Sequence, residues 1–251
     1  MSRRAVASIG ALLLLWNGCG AASISEKRGG AANFESGKEA YERKDFVEAA
    51  LDFKSYVEQY PGTDKTDDAL YYLGLSYMKT KDFALASSQF DRLTRDFPQS
   101  PFQPDGMFYL ARCDDLESRP APLDQTETQR AIDRYKAFLD LYPENSHAKE
   151  AWGRMNALTD RLAEKRFRNG RLYMKLKQRS AAAIYFQGVM ADFPESRWAG
   201  DSAVMLAEIL VLEGKKDEAI EVLRKVPNAA TGDAKGHAKD LLRELGAAST
   251  P

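Results

Sequence analysis

Histidine and cysteine are nearly missing from this chain, with two of each among 251 residues. His147 and His237 fall in no HxxxH, HExxH or cysteine-containing spacing, so metal and nucleophile chemistry lack their usual parts. Cys113 has no companion except Cys19, which excludes a disulfide framework and favours a small buried thiol. Charge of one sign is lacking too: the formal net charge is −1, which gives no argument for nucleic acid as a partner. No alternating run bounded by hairpin turns is present, and the longest apolar run is too short to span a bilayer as a helix. The carboxylate pairs Asp67/Asp68 and Asp114/Asp115 fall in helices, where acids suit helix starts or solvated faces, and no general acid stands beside a cleft. These absences disfavour an enzyme and imply no cofactor.

At the N-terminus, Arg3 and Arg4 precede an apolar run from Ala5 to Trp16, followed by Asn17-Gly18-Cys19. Residues 1–18 have the layout of a secretory signal and are excluded from the fold. A small residue directly before the Cys resembles the lipobox of bacterial lipoproteins, although Trp16 and Asn17 depart from its usual pattern. The resemblance implies that Cys19 is acylated, which would anchor the chain to a membrane. Gly20 after that Cys, where an Asp would imply retention in the inner membrane, points to the outer membrane and its periplasmic face. The alternative is a plain secreted protein cut nearby. Residues 19–32 are small and polar and read as a flexible tether.

What the chain does contain is repetition. Four times an Ala is followed four residues later by an aromatic, and eight residues after that by a proline behind another aromatic. The copies are Ala49/Phe53/Tyr60-Pro61, Ala86/Phe90/Phe97-Pro98, Ala131/Tyr135/Tyr142-Pro143 and Ala182/Phe186/Phe193-Pro194. Twelve residues before the Ala stands a small residue, Gly37, Gly74, Gly170 or Ala207, with Ala111 displaced by a longer loop. The expectation is a stack of helical hairpins: the small residue lets two helices approach with the Ala facing it, the aromatic fills the space between hairpins, and the Pro stops the second helix.

The clearest unit, DDALYYLGLSYMKTKDFALASSQFDRLTRDFPQS at 67–100, resembles a tetratricopeptide repeat (TPR) at Leu70, Leu73, Gly74, Tyr77, Ala86, Phe90, Leu93 and Pro98. The fold expected is all-α, a right-handed solenoid of five TPR repeats starting near Gly30, Asp67, Pro104, Ala163 and Gly200. The fifth is degenerate, with Pro227 one turn early, and a capping helix is expected over 231–246 before a tail at 247–251. Repeats one to three occupy 33–145, with a Pro-containing insertion from Ser118 to Asp124; repeats four and five occupy 163–230. Between these blocks punctuation vanishes: Ala148, Trp152, Met155, Leu158, Leu162 and Tyr173 keep a helical period through 146–175, which predicts one long connecting helix.

Five repeats behind a lipobox with such a helix resemble BamD, the lipoprotein family of the outer-membrane β-barrel assembly machinery. The segment LTDRLAEKRFRNGRLYMKLKQRSAAAIYFQGVMADFPES at 158–196 carries the match best. The resemblance implies a non-enzymatic scaffold. Its C-terminal repeats would dock a periplasmic domain of a BamA-like assembly protein, and its N-terminal repeats would take the C-terminal signal of unfolded outer-membrane protein clients. Another periplasmic TPR lipoprotein, of the Tol-Pal type, is the competing reading.

Two surfaces are candidates. In TPR folds the fifth and ninth positions of the first helices point into the concave face, and here they read Phe34/Lys38, Tyr71/Leu75, Phe108/Arg112 and Phe167/Arg171. Barrel signals end in an aromatic and a free carboxylate, so Phe34, Lys38, Tyr41, Tyr71, Phe108 and Arg112 are candidate peptide contacts. The alternative is that these aromatics fill gaps between adjacent helices and the cations are solvated. The second surface is a basic stretch from Lys165 to Arg179 without an Asp or Glu. It suits an acidic partner, an anionic membrane surface or simple solvation, with Arg161, Phe167, Arg168 and Arg171 as candidate docking residues.

Overall fold

The computed structural model describes residues 30–226 and 230–247. Cys19, Pro227, the signal segment, most of the tether and the tail beyond residue 247 lie outside the described residues. Eleven helices and no strands are found among the described residues. They pair as α1 (Gly30–Glu42) with α2 (Phe46–Gln59), α3 (Thr66–Thr80) with α4 (Phe83–Asp96), and α5 (Gln103–Glu117) with α6 (Thr126–Leu141). The second half of α7 (Ala148–Lys175) pairs with α8 (Arg179–Asp192), α9 (Arg197–Leu212) pairs with α10 (Lys216–Arg224), and α11 (Gly232–Glu244) covers the end. The architecture is a TPR helical solenoid with each hairpin packed on its neighbours.

The proline rule acts through the residue before it. Tyr60, Phe97, Tyr142 and Phe193 all end their helices near φ −130°, with ψ between 53° and 61°. A following proline bars that residue from the helical region, so four second helices stop in one shape. The corner inside three hairpins turns on a left-handed lysine, Lys44, Lys81 or Lys177, and Gly214 holds the equivalent place in the fifth. The α1 helix begins at Gly30, inside the segment expected to be tether.

The hairpin interior corrects one expectation. Ala49, Ala86, Ala131 and Ala182 are buried as expected, but it is the aromatic of the same hairpin that lies over the small residue. A Cβ on Gly37 would stand 3.0 Å from the Phe53 ring, one on Gly74 2.6 Å from Phe90, and one on Gly170 2.7 Å from Phe186. The glycine therefore makes room for a ring within its own repeat.

Burial divides the core into three clusters. The first two hairpins share one around Phe53, Leu73 and Phe90, and the third hairpin with the first half of α7 forms another around Phe108, Tyr135, Phe138 and Leu158. The third joins the second half of α7 to α8–α11 around Phe186, Ile209 and Leu223. At 28 residues, α7 is about 42 Å long and is the helix common to the last two clusters. The insertion at 118–124 is clamped onto it: Arg161 donates to Ser118 Oγ at 2.5 Å and Lys165 to the Leu123 carbonyl at 2.7 Å. The nearly buried Gln125 closes the loop from beneath through its Nε2, which donates to the Pro120 carbonyl at 2.9 Å.

Two more expectations change. Asp114 is no solvated acid: it is 1% exposed and pairs with Arg130 at 2.8 Å and Arg134 at 2.6 Å, tying α5 to α6. Trp152, counted within the apolar period of α7, is 55% exposed and leaves that stripe. Cys113 is buried, with Met78 Sδ 3.3 Å from its sulfur, and burial pushes the thiol up to about 12.

Candidate partner-binding surfaces

The first helices of the first three hairpins carry a tyrosine row. Tyr41 meets Tyr72 edge-on at 5.4 Å, and Lys38 stands 5.4 Å above the Tyr72 ring. Tyr71 stacks on Phe102 at 4.4 Å and donates its hydroxyl to Asp105 at 3.3 Å, and Tyr109 stacks on Phe90 at 5.4 Å. All four tyrosines are partly exposed. Burial, and for Tyr71 and Tyr109 also the Asp105 carboxylate, raises the phenols of Tyr41, Tyr71 and Tyr109, so they remain neutral hydroxyl donors. Burial, reinforced by Asp67, also raises Asp68.

The expected pairing of an aromatic platform with a cation does not hold at two of its positions. Phe34 is 3% exposed between Phe53 and Tyr56, and Phe108 is 2% exposed and lies flat against His147 at 4.2 Å. Both fill core space, because the first helices turn that position toward their own hairpin. Arg112 is neutralised by Asp115 at 2.8 Å, which Arg154 of α7 also contacts at 3.2 Å. Lys38, Tyr41 and Tyr71 remain partly exposed. Tyr72 and Tyr109 join them, although the fifth-and-ninth register passed over both.

In the second module the four docking candidates share one strip of α7. A groove of about 760 Å³ runs between α7, the 118–124 loop and the start of α9, and Arg161, Arg168 and Arg197 line it. Arg168 also lines an adjoining depression of about 360 Å³ with Phe167, Arg171, Leu172 and Trp198. Phe167 and Arg171 continue into a third, of about 250 Å³, beside Asp201 and His237.

Their electrostatic states differ. Arg161 is held by Ser118 Oγ and the Arg119 carbonyl, and Arg168 pairs with Glu164 at 2.6 Å. Arg171 is exposed, and its charge opposes the burial that raises Asp201. Phe167 is 6% exposed and serves as a floor, 5.1 Å from Trp198, rather than as a projecting anchor. Sequence reasoning missed Arg197, whose guanidinium lies 4.8 Å over the Trp198 ring. The signal was the adjacent Arg-Trp pair at the head of α9, hidden because the fifth repeat was started at Gly200.

His147 and His237 stand apart, and no group of three potential metal ligands occurs among the described residues. No helix among the described residues is long and apolar enough to cross a membrane.

The family model described as "YfiO: Outer membrane lipoprotein" matches residues 29–223. The chain belongs to that family. Curated relatives of this YfiO-family chain carry the description outer membrane protein assembly factor BamD. That of Caulobacter vibrioides is 23% identical over 186 residues, 74% of this chain and 61% of the relative. That of Xylella fastidiosa (strain Temecula1) is 26% identical over 194 residues, 70% of this chain and 64% of the relative. The chain therefore spans less than two thirds of either relative's length. Among solved structures, a thermophilic TPR protein of Thermus thermophilus aligns at 18% identity, 86% of this chain and 100% of the other, with a TM-score of 0.34.

Proposed function

We propose that this YfiO-family chain is a non-enzymatic lipoprotein scaffold of outer-membrane β-barrel assembly, anchored through Cys19 on the periplasmic face. One observation carries the reading beyond family membership: Arg161, Arg168, Arg171 and Arg197 share a continuous strip along α7 and α9, floored by Phe167 and Trp198. Cations around an aromatic floor suit an acidic, partly apolar protein surface. The strip is the dock for the periplasmic domain of a BamA-like assembly protein.

The tyrosine row is the client face. Lys38 supplies a cation for a terminal carboxylate, and Tyr41, Tyr71, Tyr72 and Tyr109 offer ring faces and hydroxyls to an aromatic C-terminal residue. Photocrosslinkers at Lys38, Tyr41 and Tyr109 are expected to capture a barrel C-terminal peptide, and one at the outward-facing Ile184 is not. Equal capture from Ile184 refutes the client face. The dock is tested by charge reversal of its exposed arginines and co-purification of the assembly protein.

A further inference from the structure

The basic stretch of α7 divides into two parts with different fates. Its first cations have partners within the chain: Lys165 the Leu123 carbonyl, Arg166 Asp192 and the Gly188 carbonyl, and the exposed Arg168 Glu164. The last three, Lys175, Lys177 and Arg179, are exposed and form no ion pair among the described residues. Beside them Leu172 and Leu176, one helical turn apart, are 52% and 56% exposed.

This corner differs from its equivalents in the first two hairpins. After the left-handed lysine those have Asp45-Phe46 and Asp82-Phe83, and Phe46 folds back on Tyr41 at 5.3 Å. Here the same positions read Gln178-Arg179. The acid that would balance the lysine is gone, and a cation replaces the ring that would cover the corner.

We infer that the α7–α8 corner, formed by Leu172, Lys175, Leu176, Lys177 and Arg179, is a contact for an anionic phospholipid surface. Two leucines standing among unpaired cations match the chemistry of a membrane interface, where short apolar groups enter the headgroup boundary and lysines meet phosphates. Leu172 and Lys175 also line the depression beside Phe167, but Leu176, Lys177 and Arg179 lie beyond its lining, so an acidic protein seated in the strip would leave Leu176 uncovered. The inference rests on the chain working at a membrane, as the family description states. The ten residues between Cys19 and α1 reach at most about 35 Å, which keeps the folded body near the lipid.

The test uses the full-length lipidated chain carrying Leu176→Cys labelled with an environment-sensitive fluorophore. The buried Cys113 thiol stays unlabelled. The protein is placed in phosphatidylcholine vesicles, or in vesicles in which about a third of the lipid is phosphatidylglycerol. The expected result is a blue shift and protection from an aqueous quencher in the anionic vesicles only, both lost at about 1 M salt. The triple change K175E/K177E/R179E is expected to lower the partition of the corner by about a hundredfold or more. Equal exposure of the probe in both vesicles overturns the inference, as does an equal shift in both. Protection that appears only on adding the assembly protein assigns the corner to that partner and also overturns it. None of these readouts depends on whether the α7 strip docks its proposed partner.

Discussion

Gly74 gives the sharpest test of how the hairpins close. Changing an exposed helical Gly to Ala normally stabilises by about 1 kcal/mol, because Ala loses less conformational freedom on folding. At Gly74 the new Cβ would stand 2.6 Å from Phe90 Cζ and 2.7 Å from Cε1. Ordinary carbon contacts lie at about 3.5–4.0 Å, so the ring must retreat by about 1 Å. It has little room: Phe90 is fully buried, stacked on Tyr109 at 5.4 Å and edged by Tyr71 at 6.4 Å. Overpacking of this kind costs about 1–3 kcal/mol, and with the propensity gain subtracted Gly74→Ala is expected to destabilise by about 1–2 kcal/mol. Gly153 on α7 is the internal control, because nothing lies within 4 Å of its Cβ position. Gly153→Ala is expected to stabilise by about 0.5–1 kcal/mol. Separate core clusters argue against a single unfolding transition, so the assay is hydrogen exchange of the α3 and α4 amides alongside urea denaturation. Shrinking the ring with Phe90→Leu should cost stability alone but less in the Gly74→Ala background. If Gly74→Ala is as stable as the parent, or gains as Gly153→Ala does, the ring-over-glycine account of these hairpins is wrong.

Three further outcomes follow from the same structure. Lys44, Lys81 and Lys177 hold φ of 64°, 67° and 59°, so replacement of each by Gly is expected to stabilise by about 0.5–1 kcal/mol in thermal melts, while Ala leaves the strain in place. Asp114→Ala removes the buried anion between Arg130 and Arg134 and is expected to cost about 2–3 kcal/mol in urea denaturation; the stranded guanidiniums keep some water contact, which holds the loss below that of a fully buried pair. Cys113 is expected to resist thiol reagents in the native state and to react on unfolding. Because its folded thiol is raised from 9.0 to about 12, the stability it contributes is full below about pH 9 and falls as pH rises toward 12, which pH-dependent melts of Cys113→Ala against the parent will show.

The repeat was legible because its parts act locally. A proline bars the preceding aromatic from helix, and an Ala or Gly at a fixed offset marks a close approach, so Tyr60, Phe97, Tyr142 and Phe193 could be placed from spacing alone. The absence of punctuation was equally readable along α7. What spacing could not give was the side of the helix on which a residue falls once neighbours pack. Phe34 and Phe108 occupy groove register yet turn into their own hairpins, while Tyr72 and Tyr109, one position further along, remain partly exposed. Charge was the other blind spot. Asp114 meets arginines 16 and 20 residues away on the next helix, and the basic run of α7 contains clamps and free cations that look identical as letters. The proposed docking strip was legible in part, since Arg161, Phe167, Arg168 and Arg171 share one helix; Arg197 reaches the same groove from α9 only through the fold.

The measurement that bears most directly on the scaffold reading is co-purification with the full-length chain after mild detergent extraction. The parent is compared with a variant carrying Arg168→Glu, Arg171→Glu and Arg197→Glu, three exposed cations of the strip. The account predicts that the parent retains the β-barrel assembly protein, and that the variant loses it by at least tenfold while its helical circular dichroism is unchanged. Undiminished retention by the variant, or Tol proteins and peptidoglycan factors in place of assembly components, would contradict it.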